Sequence, residues 1–298
     1  KKKQNCATQN SQRFGHLNMT FENYVYWIEA NSFKGNGRIE IFAAPLKVKE
    51  LLNKIIFNNT RPVILTSATL SVGGDLEYYC GRVGYCNGEK SILDTLFDYQ
   101  RQMKIYISKV VPEQNDAEYL DLMCEEIRKY TSLTHGKAFV LFTSYDILRK
   151  CAAELRDFFA KKGIKLLVQG ENLSRNNMLK EFRGDTDSVI FGAASFWAGV
   201  DVPGESLSNV IITKLPFDVP SHPLIQARSE LIEADGGDSF KNYLLPEAVL
   251  KFRQGIGRLI RNKRDTGIVA ILDKRILTKN YGRAFLNSIP KCHIEVSS

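Results

Sequence analysis

The stretch from Lys251 to Arg264 carries six basic side chains and no carboxylate. Gln254, Arg258 and Arg261 recur there at i, i+4 and i+7, so a helix over 246–261 would carry all three on one face. Arginine stays charged and can bind two phosphate oxygens at once. The spacing therefore predicts a surface that binds the phosphates of a nucleoside triphosphate. A solvated basic helix face is the alternative.

Two glycines, Gly255 and Gly257, interrupt the same stretch. A glycine inside a helix costs roughly 1 kcal/mol relative to alanine, so two of them need a reason. We expect another group to approach the backbone closely at these positions. The G-x-G pattern lacks the rest of a dinucleotide-binding fingerprint and does not by itself indicate one.

A second candidate is the loop ASFWAGVDVPGE, residues 194–205, which follows an apolar run. Gly199 and Asp201 are its most informative residues, because such loops offer backbone N–H groups to anions and a carboxylate to a ribose hydroxyl or a cation. The alternative is a simple turn at Gly199 with Trp197 as a core residue.

Hydroxyl side chains form two further candidates. Ser67 and Thr69 lie in TSATL, and Thr143 and Ser144 lie in LFTSY. Taken alone, the first pair is expected to satisfy its own loop backbone. The second pair is expected to cap a helix, although a helix amino terminus also suits an anion.

The elements that would position these residues alternate from Lys104 onward. Apolar runs without polar alternation predict buried strands, and they occupy 104–108, 137–144, 164–168, 188–194, 209–217 and 266–273. Helices are predicted between them, at 116–132, 145–163 (closed by Gly163), 174–183 (capped by Ser174) and 246–261. The fold class is therefore α/β, with a parallel sheet covered by helices on both faces. Ligands of such sheets bind at the carboxyl ends of the strands, where Thr143–Ser144, Ser195–Asp201 and Asp273 lie.

The chain before Lys104 has a different pattern. Residues 1–20 are a polar lead-in, and 24–29 and 37–45 are predicted strands with a hairpin turn at 35–37. A helix is predicted over 46–57, followed by a short strand over 62–66 that leads into TSATL. We therefore place domain boundaries at 1–20, 21–103 and 104–298.

Composition narrows the class of protein. The 298 residues carry a net charge of +8, which favours a polyanion such as nucleic acid as partner. The six cysteines are scattered without a C-x-x-C pair, so they predict reduced thiols and no metal site. No apolar run has the roughly 18 residues that a membrane span needs. A cytoplasmic protein without a membrane partner is expected.

Together and in this order, the blocks resemble motifs III to VI of superfamily 2 helicases of the XPD/DinG group. The blocks are VILTSATLS, LFTSY, SFWAGVDVPGE with KLPF, and QGIGRLIR with LDKR. HPLIQAR and YLLPEAVLKFRQGIGRLIR are similar to the DinG branch in particular, and the resemblance covers roughly residues 40–290. It implies two RecA-like lobes with ATP between them, this chain holding the end of lobe 1 (21–103) and all of lobe 2 (104–298).

The resemblance also implies roles for the candidate residues. Gln254, Arg258 and Arg261 match motif VI, which faces the ATP phosphates, and both arginines would act as arginine fingers. Gly199 and Asp201 match motif V, which bridges the nucleotide and the bound nucleic acid strand. Ser67 and Thr69 match motif III, which links hydrolysis to lobe movement. Thr143 and Ser144 match motif IV, which is expected on the single-stranded backbone. Trp197 is grouped with the strand-contacting residues.

Parts of the family pattern do not occur in this chain. There is no G-x-x-x-x-G-K-[ST] phosphate loop and no Asp-Glu pair for Mg²⁺, and the cysteines lack the spacing of the family's iron–sulfur cluster. Family order places all three before motif III. We therefore expect the C-terminal part of a longer protein, with ATP and Mg²⁺ held mainly by an N-terminal lobe and any cluster upstream. Ala198 stands where relatives carry Glu.

The resulting hypothesis is a DinG-like, ATP-dependent DNA helicase that moves 5′ to 3′ on single-stranded DNA and acts in DNA repair or replication. This chain alone is expected to be inactive. Two alternatives stay open. One is the DNA-holding lobe of a DinG-like nuclease, which an acidic metal cluster upstream would indicate. The other is a nucleic-acid-binding module without motor activity. Ala198 favours this alternative, and the complete set of phosphate-facing residues argues against it.

Overall fold

The computed structural model describes residues 24–33, 36–57, 62–85, 87–113, 116–185, 187–197 and 207–297. The strands are β1 (Tyr24–Phe33), β2 (Asn36–Pro45), β3 (Met103–Ser108), β4 (Ala138–Leu141), β5 (Lys165–Val168), β6 (Ser188–Gly192), β7 (Asn209–Ile212), β8 (Gly267–Ile271) and β9 (His293–Ser297). The α-helices are α1 (Val48–Leu52), α2 (Glu77–Val83), α3 (Tyr99–Gln102), α4 (Tyr119–Leu133), α5 (Tyr145–Lys161), α6 (Arg175–Gly184), α7 (Pro223–Ala234), α8 (Leu245–Ile256), α9 (Arg275–Thr278) and α10 (Gly282–Ser288).

The chain forms two compact units. The first is drawn from residues up to Leu70, from Leu76–Lys90 and from Asp218–Pro246. The second is drawn from Ser71–Asp75, Ser91–Phe217 and Glu247–Ser298. The assignment of 21–103 and 104–298 to helicase lobes stays a prediction.

The predicted hairpin is confirmed in the first unit. Strands β1 and β2 pair antiparallel, and Trp27 lies opposite Phe42 with the two rings stacked 5.0 Å apart. Residues 34 and 35, at the tip where the turn was predicted, lie outside the described residues. The single helix predicted over 46–57 is two pieces, because α1 ends at Leu52 and a π-helical turn, Asn53–Phe57, follows it.

The predicted strand over 62–66 is wrong. Ile64 is 87% exposed, and no strand among the described residues pairs with this segment. A strand forms only when its backbone N–H and C=O groups find partners on a neighbouring strand. An apolar run alone therefore did not decide the structure here.

The second unit is built on a parallel sheet, as the sequence predicts, and the sheet has seven strands because β9, which was not predicted, joins its edge. All of its pairs are parallel, and the strand order is β5-β6-β4-β7-β8-β3-β9. Every residue of β4, β6 and β7 is buried. Because successive side chains of a strand point to opposite faces, both faces of the sheet are covered.

Two helices of this unit, α5 and α6, begin where the local chemistry predicts. The Ser144 hydroxyl accepts from the Ile147 N–H at the start of α5, and the Ser174 hydroxyl accepts from the Asn177 N–H at the start of α6. Gly163 follows α5 with φ at 68°, a conformation that favours glycine. No helix of the described residues is long and apolar enough to cross a membrane.

Candidate functional site

Arg258 is a buried guanidinium beyond the end of α8. The residue is 4% exposed, and its Nη1 donates to the carbonyl of Phe196. Its Nη2 has no acceptor within the described part of the chain. Burial, with a smaller contribution from the positive charge of Arg175, lowers the pKa of Arg258 to about 10. Proteins rarely bury such a charge without an acceptor, so an anion is the expected partner for Nη2.

The helix that carries Gln254 ends earlier than predicted. Helix α8 ends at Ile256, and Arg258 and Arg261 lie in the turns after it. The prediction of one helical face shared by Gln254, Arg258 and Arg261 is therefore wrong. Gly257 favours this ending, because glycine gains little by remaining helical.

The chain after α8 is held by a carboxylate just outside the basic stretch. The Asp265 side chain accepts from the Arg261 N–H at 2.8 Å and from the Asn262 N–H at 3.0 Å. The Arg261 Nε donates to the Arg258 carbonyl at 3.4 Å. Burial lowers the pKa of Arg261, while Asp265 acts to raise it. Arg258 and Arg261 are thus joined by a turn and not by a helix.

The expected close approach to a glycine backbone is confirmed at Gly255. A Cβ at that position would lie 3.2 Å from Trp197 Cζ3 and 3.3 Å from Leu141 Cδ1. At Gly257 it would meet only the Arg253 carbonyl of the same chain segment, at 3.0 Å. Gly255 therefore makes room for the indole of Trp197.

Trp197 is a core residue in this structure, which is the alternative weighed for it above. It is 4% exposed, and its indole N–H donates to the Phe142 carbonyl at 2.8 Å. The indole is not presented for stacking on a nucleic acid base. Its role here is to connect the segment after β6 with β4 and α8.

The segment after β6 brings Phe196 to Arg258. Ala194–Phe196 is a single 3₁₀ turn, and its Phe196 carbonyl is the acceptor for Arg258. The guanidinium carbon of Arg175, at the start of α6, lies 5.7 Å from the centroid of the Phe196 ring. Gly199 and Asp201, with Ala198, lie outside the described residues.

Gln169 is a residue that the sequence analysis missed. Its side-chain amide donates to the Tyr145 hydroxyl at 2.8 Å and to the Ser195 hydroxyl at 3.0 Å. Its carbonyl oxygen accepts from the Ala193 N–H at 2.7 Å. Gln169 thus connects the start of α5 with the segment that leads to Arg258. Its position directly after β5 was the available signal.

The two hydroxyl pairs lie in different units. Ser144 caps α5, with 3.5 Å between its Oγ and the Ile147 nitrogen, which confirms the capping expected of it. Thr143 precedes it at the carboxyl end of β4 and is half-buried. In the first unit, the Thr69 N–H donates to Ser67 Oγ at 3.3 Å. Ser67 and Thr69 therefore satisfy their own loop, as that interpretation predicts.

A comparison with protein-family models decides the class. Residues 127–292, more than half of the chain, match the helicase C-terminal domain. The chain belongs to this helicase family. Within superfamily 2 it falls in the XPD/DinG group, on the DinG side.

Curated relatives carry DinG and YoaA names. The chain is 39% identical over 268 residues to the ATP-dependent DNA helicase YoaA of Haemophilus influenzae, covering 90% of this chain and 40% of the relative. It is 37% identical over 298 residues to the 3′-5′ exonuclease DinG of Bacillus subtilis, covering 96% of this chain and 31% of the relative. The chain thus spans between about a third and two fifths of the length of these relatives.

Solved XPD structures share the fold of this DinG-like chain. The structure described as XPD_Helicase superposes with a TM-score of 0.63 at 16% identity, covering 93% of this chain and 48% of the other. Xpd4 of S. tokodaii superposes with a TM-score of 0.57 at 15% identity, covering 87% of this chain and 49% of the other. The sheet of the second unit is therefore a RecA-like helicase sheet, as expected.

Proposed function

We propose that this chain is the second motor lobe of a DinG-like, ATP-dependent DNA helicase that moves 5′ to 3′ along single-stranded DNA. Family membership and the relatives named as ATP-dependent DNA helicases support the proposal. The chain spans less than half of those relatives. In this proposal the activity belongs to a whole protein, in which an N-terminal lobe works together with this one. A cytoplasmic role in DNA repair or replication goes with this proposal.

The buried guanidinium of Arg258 is the observation that carries the proposal. Its Nη1 is fixed by the Phe196 carbonyl, and its Nη2 has no acceptor among the described residues. A γ-phosphoryl oxygen supplies the missing acceptor, and a charge preorganised in this way stabilises the charge that develops during phosphoryl transfer. Arg258 is thus proposed as an arginine finger.

The other phosphate-facing residues have supporting roles in this proposal. Arg261 follows Arg258 through the turn closed by Asp265 and is proposed as a second finger. Gln254, half-buried on α8, is proposed to orient the attacking water or the phosphate. Gly199 and Asp201 are proposed to bridge nucleotide and strand on family resemblance alone, since they lie outside the described residues.

The N-terminal lobe is proposed to hold ATP and Mg²⁺ for the most part, while this lobe contacts the phosphates. No group of three or more His, Cys, Asp or Glu side chains suited to a metal ion occurs in the described ranges. Arg258 and Arg261 suit the phosphate end of the nucleotide, because a guanidinium can bind two phosphate oxygens at once. Any iron–sulfur cluster belongs, in this proposal, to the upstream part of the protein.

The single-stranded DNA is proposed to cross the edge of the sheet formed by the carboxyl ends of the β-strands. Thr143 and Ser144 lie at that edge after β4, and the net charge of +8 favours a polyanion. Ser67 and Thr69 are proposed to couple hydrolysis to lobe movement. Trp197 is left out of the strand contacts, because its indole is buried.

ATP turnover by the whole protein tests the proposal. We expect single-stranded DNA to stimulate turnover, and Arg258→Ala to lower the stimulated rate by about a thousandfold, the usual contribution of an arginine finger. Arg264→Ala is the matched control, because Arg264 is exposed in the same basic stretch. A wild-type protein without stimulated turnover would refute the motor.

A DNA-holding lobe in a nuclease is the second candidate. The observation that favours it is the match of 96% of this chain to a relative named as a 3′-5′ exonuclease. In that case the whole protein degrades DNA from a 3′ end, and this lobe contributes to its DNA affinity. Arg258→Ala is then expected to leave the degradation rate unchanged. Degradation by the wild type without stimulated ATP turnover would favour this candidate over the motor.

A further inference from the structure

A pocket of about 230 Å³ opens at the carboxyl ends of three neighbouring strands in the second unit. Its walls are the segments that follow β3, β7 and β8, together with the first residue of α4. The charged side chains that line it are Glu113, Lys214, Asp273, Lys274 and Arg275. Two hydroxyl residues, Tyr119 and Thr213, also line it, and the Thr213 hydroxyl already donates to the Leu141 carbonyl at 3.0 Å. None of the roles proposed above uses these residues.

One of the two carboxylates in the lining is already saturated. Asp273 is 8% exposed and accepts from the Leu215 N–H at 2.9 Å and from the Arg275 Nε and Nη2, the latter at 2.6 Å. The pair holds the segments after β7 and β8 together. Because its charge is matched by Arg275, Asp273 does not act as a base toward a ligand.

The remaining charges leave the pocket positive. Apart from the Asp273–Arg275 pair, the lining has two positive side chains, Lys214 and Lys274, and one negative side chain, Glu113. Glu113 is exposed and lies in the segment before α4. Burial lowers the pKa of Lys214 and the positive charge of Arg275 lowers it further, while the negative charge of Asp273 acts to raise it. The ammonium of Lys214 is thus partly desolvated, with Arg275 and Asp273 acting on it in opposite directions, and the net positive charge of the lining as a whole favours a bound anion.

The hydrogen-bond donors of the pocket also suit an anion. Burial raises the pKa of Tyr119 to about 12, so its hydroxyl stays protonated and can donate at neutral pH. Tyr119 is the first residue of the 15-residue helix α4, whose amino terminus adds partial positive charge. The lining therefore combines an ammonium, a hydroxyl and a helix amino terminus around a space large enough for a phosphate.

We propose that this pocket binds a phosphate group, with Lys214 as its principal cation and Tyr119 as a hydroxyl donor. The group comes either from the backbone of a nucleic acid strand or from free phosphate or pyrophosphate. The first source rests on the proposed function, in which DNA crosses this sheet edge at Thr143 and Ser144. These residues follow β4, and the pocket lies at the end of the neighbouring strand β7 on the same edge. The second source does not rest on it.

Binding of a fluorescent oligo(dT) to the 298-residue chain, measured by anisotropy over a salt series, is the first arm. For a strand phosphate, Lys214→Gln weakens binding about tenfold and lowers the slope of log K against log salt by about 0.7. Glu113→Gln tightens binding, because it removes the opposing charge. Lys161→Gln is the matched control. Lys161 is exposed at the end of α5, which leads to the amino end of β5, and we expect no change.

Pyrophosphate alone is the second arm. We expect its saturation to raise the pKa of Lys214, followed by side-chain NMR, and to leave that of Lys161 unchanged. Circular dichroism melts check that each variant is folded. If Lys214→Gln abolishes the pyrophosphate effect and spares oligo(dT) binding, the pocket takes free phosphate.

The two arms separate failure of this pocket from failure of the helicase. The pocket is refuted if Lys214→Gln leaves oligo(dT) affinity unchanged and pyrophosphate leaves the pKa of Lys214 unchanged. Unchanged DNA binding in Lys214→Gln with the full salt slope would leave the proposed function intact. A wild-type chain that binds pyrophosphate at Lys214 but no oligo(dT) would keep the pocket and count against strand binding by this lobe.

Discussion

Replacing Arg258 with methionine separates what this residue costs the fold from what it contributes to function. Burial lowers the pKa of Arg258 from its ordinary value above 12 to about 10. At 1.36 kcal/mol per pKa unit, the charged side chain destabilises the folded state by about 3 kcal/mol. The sign is fixed, because a depressed pKa means that the folded state binds the proton less tightly than the unfolded state at neutral pH.

Methionine removes that penalty and keeps most of the volume. It also leaves the Phe196 carbonyl without its donor, which costs about 1–3 kcal/mol. We therefore expect Arg258→Met to raise the free energy of unfolding by between about 0 and 2 kcal/mol. Arg258→Ala opens a cavity and is expected to be at least about 2 kcal/mol less stable than Arg258→Met. Urea unfolding of the 298-residue chain, followed by circular dichroism at pH 7.5, measures both values.

Arg264→Met, at an exposed position, should change stability by less than about 0.5 kcal/mol. A loss of more than about 2 kcal/mol in Arg258→Met would show that the guanidinium is a structural element. Retention of this charge would then need no anionic partner.

Further predictions concern the residues around this site. Gly255→Ala should destabilise the chain by about 1 kcal/mol in urea unfolding, because overpacking against Trp197 outweighs the gain in helix propensity. Gly184→Ala should stabilise the chain, because a Cβ added there meets no other atom within 4 Å. Asp273→Asn should cost about 3 kcal/mol by the same assay, because it leaves the partly buried Arg275 without its carboxylate; equal stability would contradict the pairing. In a Trp27→Phe background, Trp197 emission should be blue-shifted and unchanged by oligo(dT), and quenching by the oligonucleotide would return Trp197 to the strand contacts. Gln169→Ala should lower ATP turnover of the whole protein with little loss of stability, since its three hydrogen bonds position the segment before Arg258; a melting point that falls with the rate would indicate a structural role.

The parallel sheet was predictable because burial on both faces leaves a direct mark on the sequence. Strands β4, β6 and β7 are apolar runs without alternation, and each was predicted. Strand β9 was missed for the converse reason. It lies at the edge of the sheet and is mostly exposed, so HIEVS carries no burial signal.

The details of the site were harder to predict, because they depend on contacts between distant segments. Helical periodicity placed Arg258 on an exposed face, whereas the contact with the Phe196 carbonyl, 62 residues away, buries it. Arginine is rarely buried, so composition argued for exposure. The glycine at 255 gave a correct signal of close approach but could not identify Trp197 as the neighbour.

We propose that Arg258 contacts the nucleotide phosphates mainly in the transition state. The affinity of the whole protein for ADP with aluminium fluoride, which resembles that state, tests the claim against the affinity for ADP alone. The account predicts that Arg258→Ala weakens binding of the transition-state analogue by about a hundredfold or more and changes ADP affinity by less than about threefold. Equal losses for both ligands, or no loss for either, would contradict it.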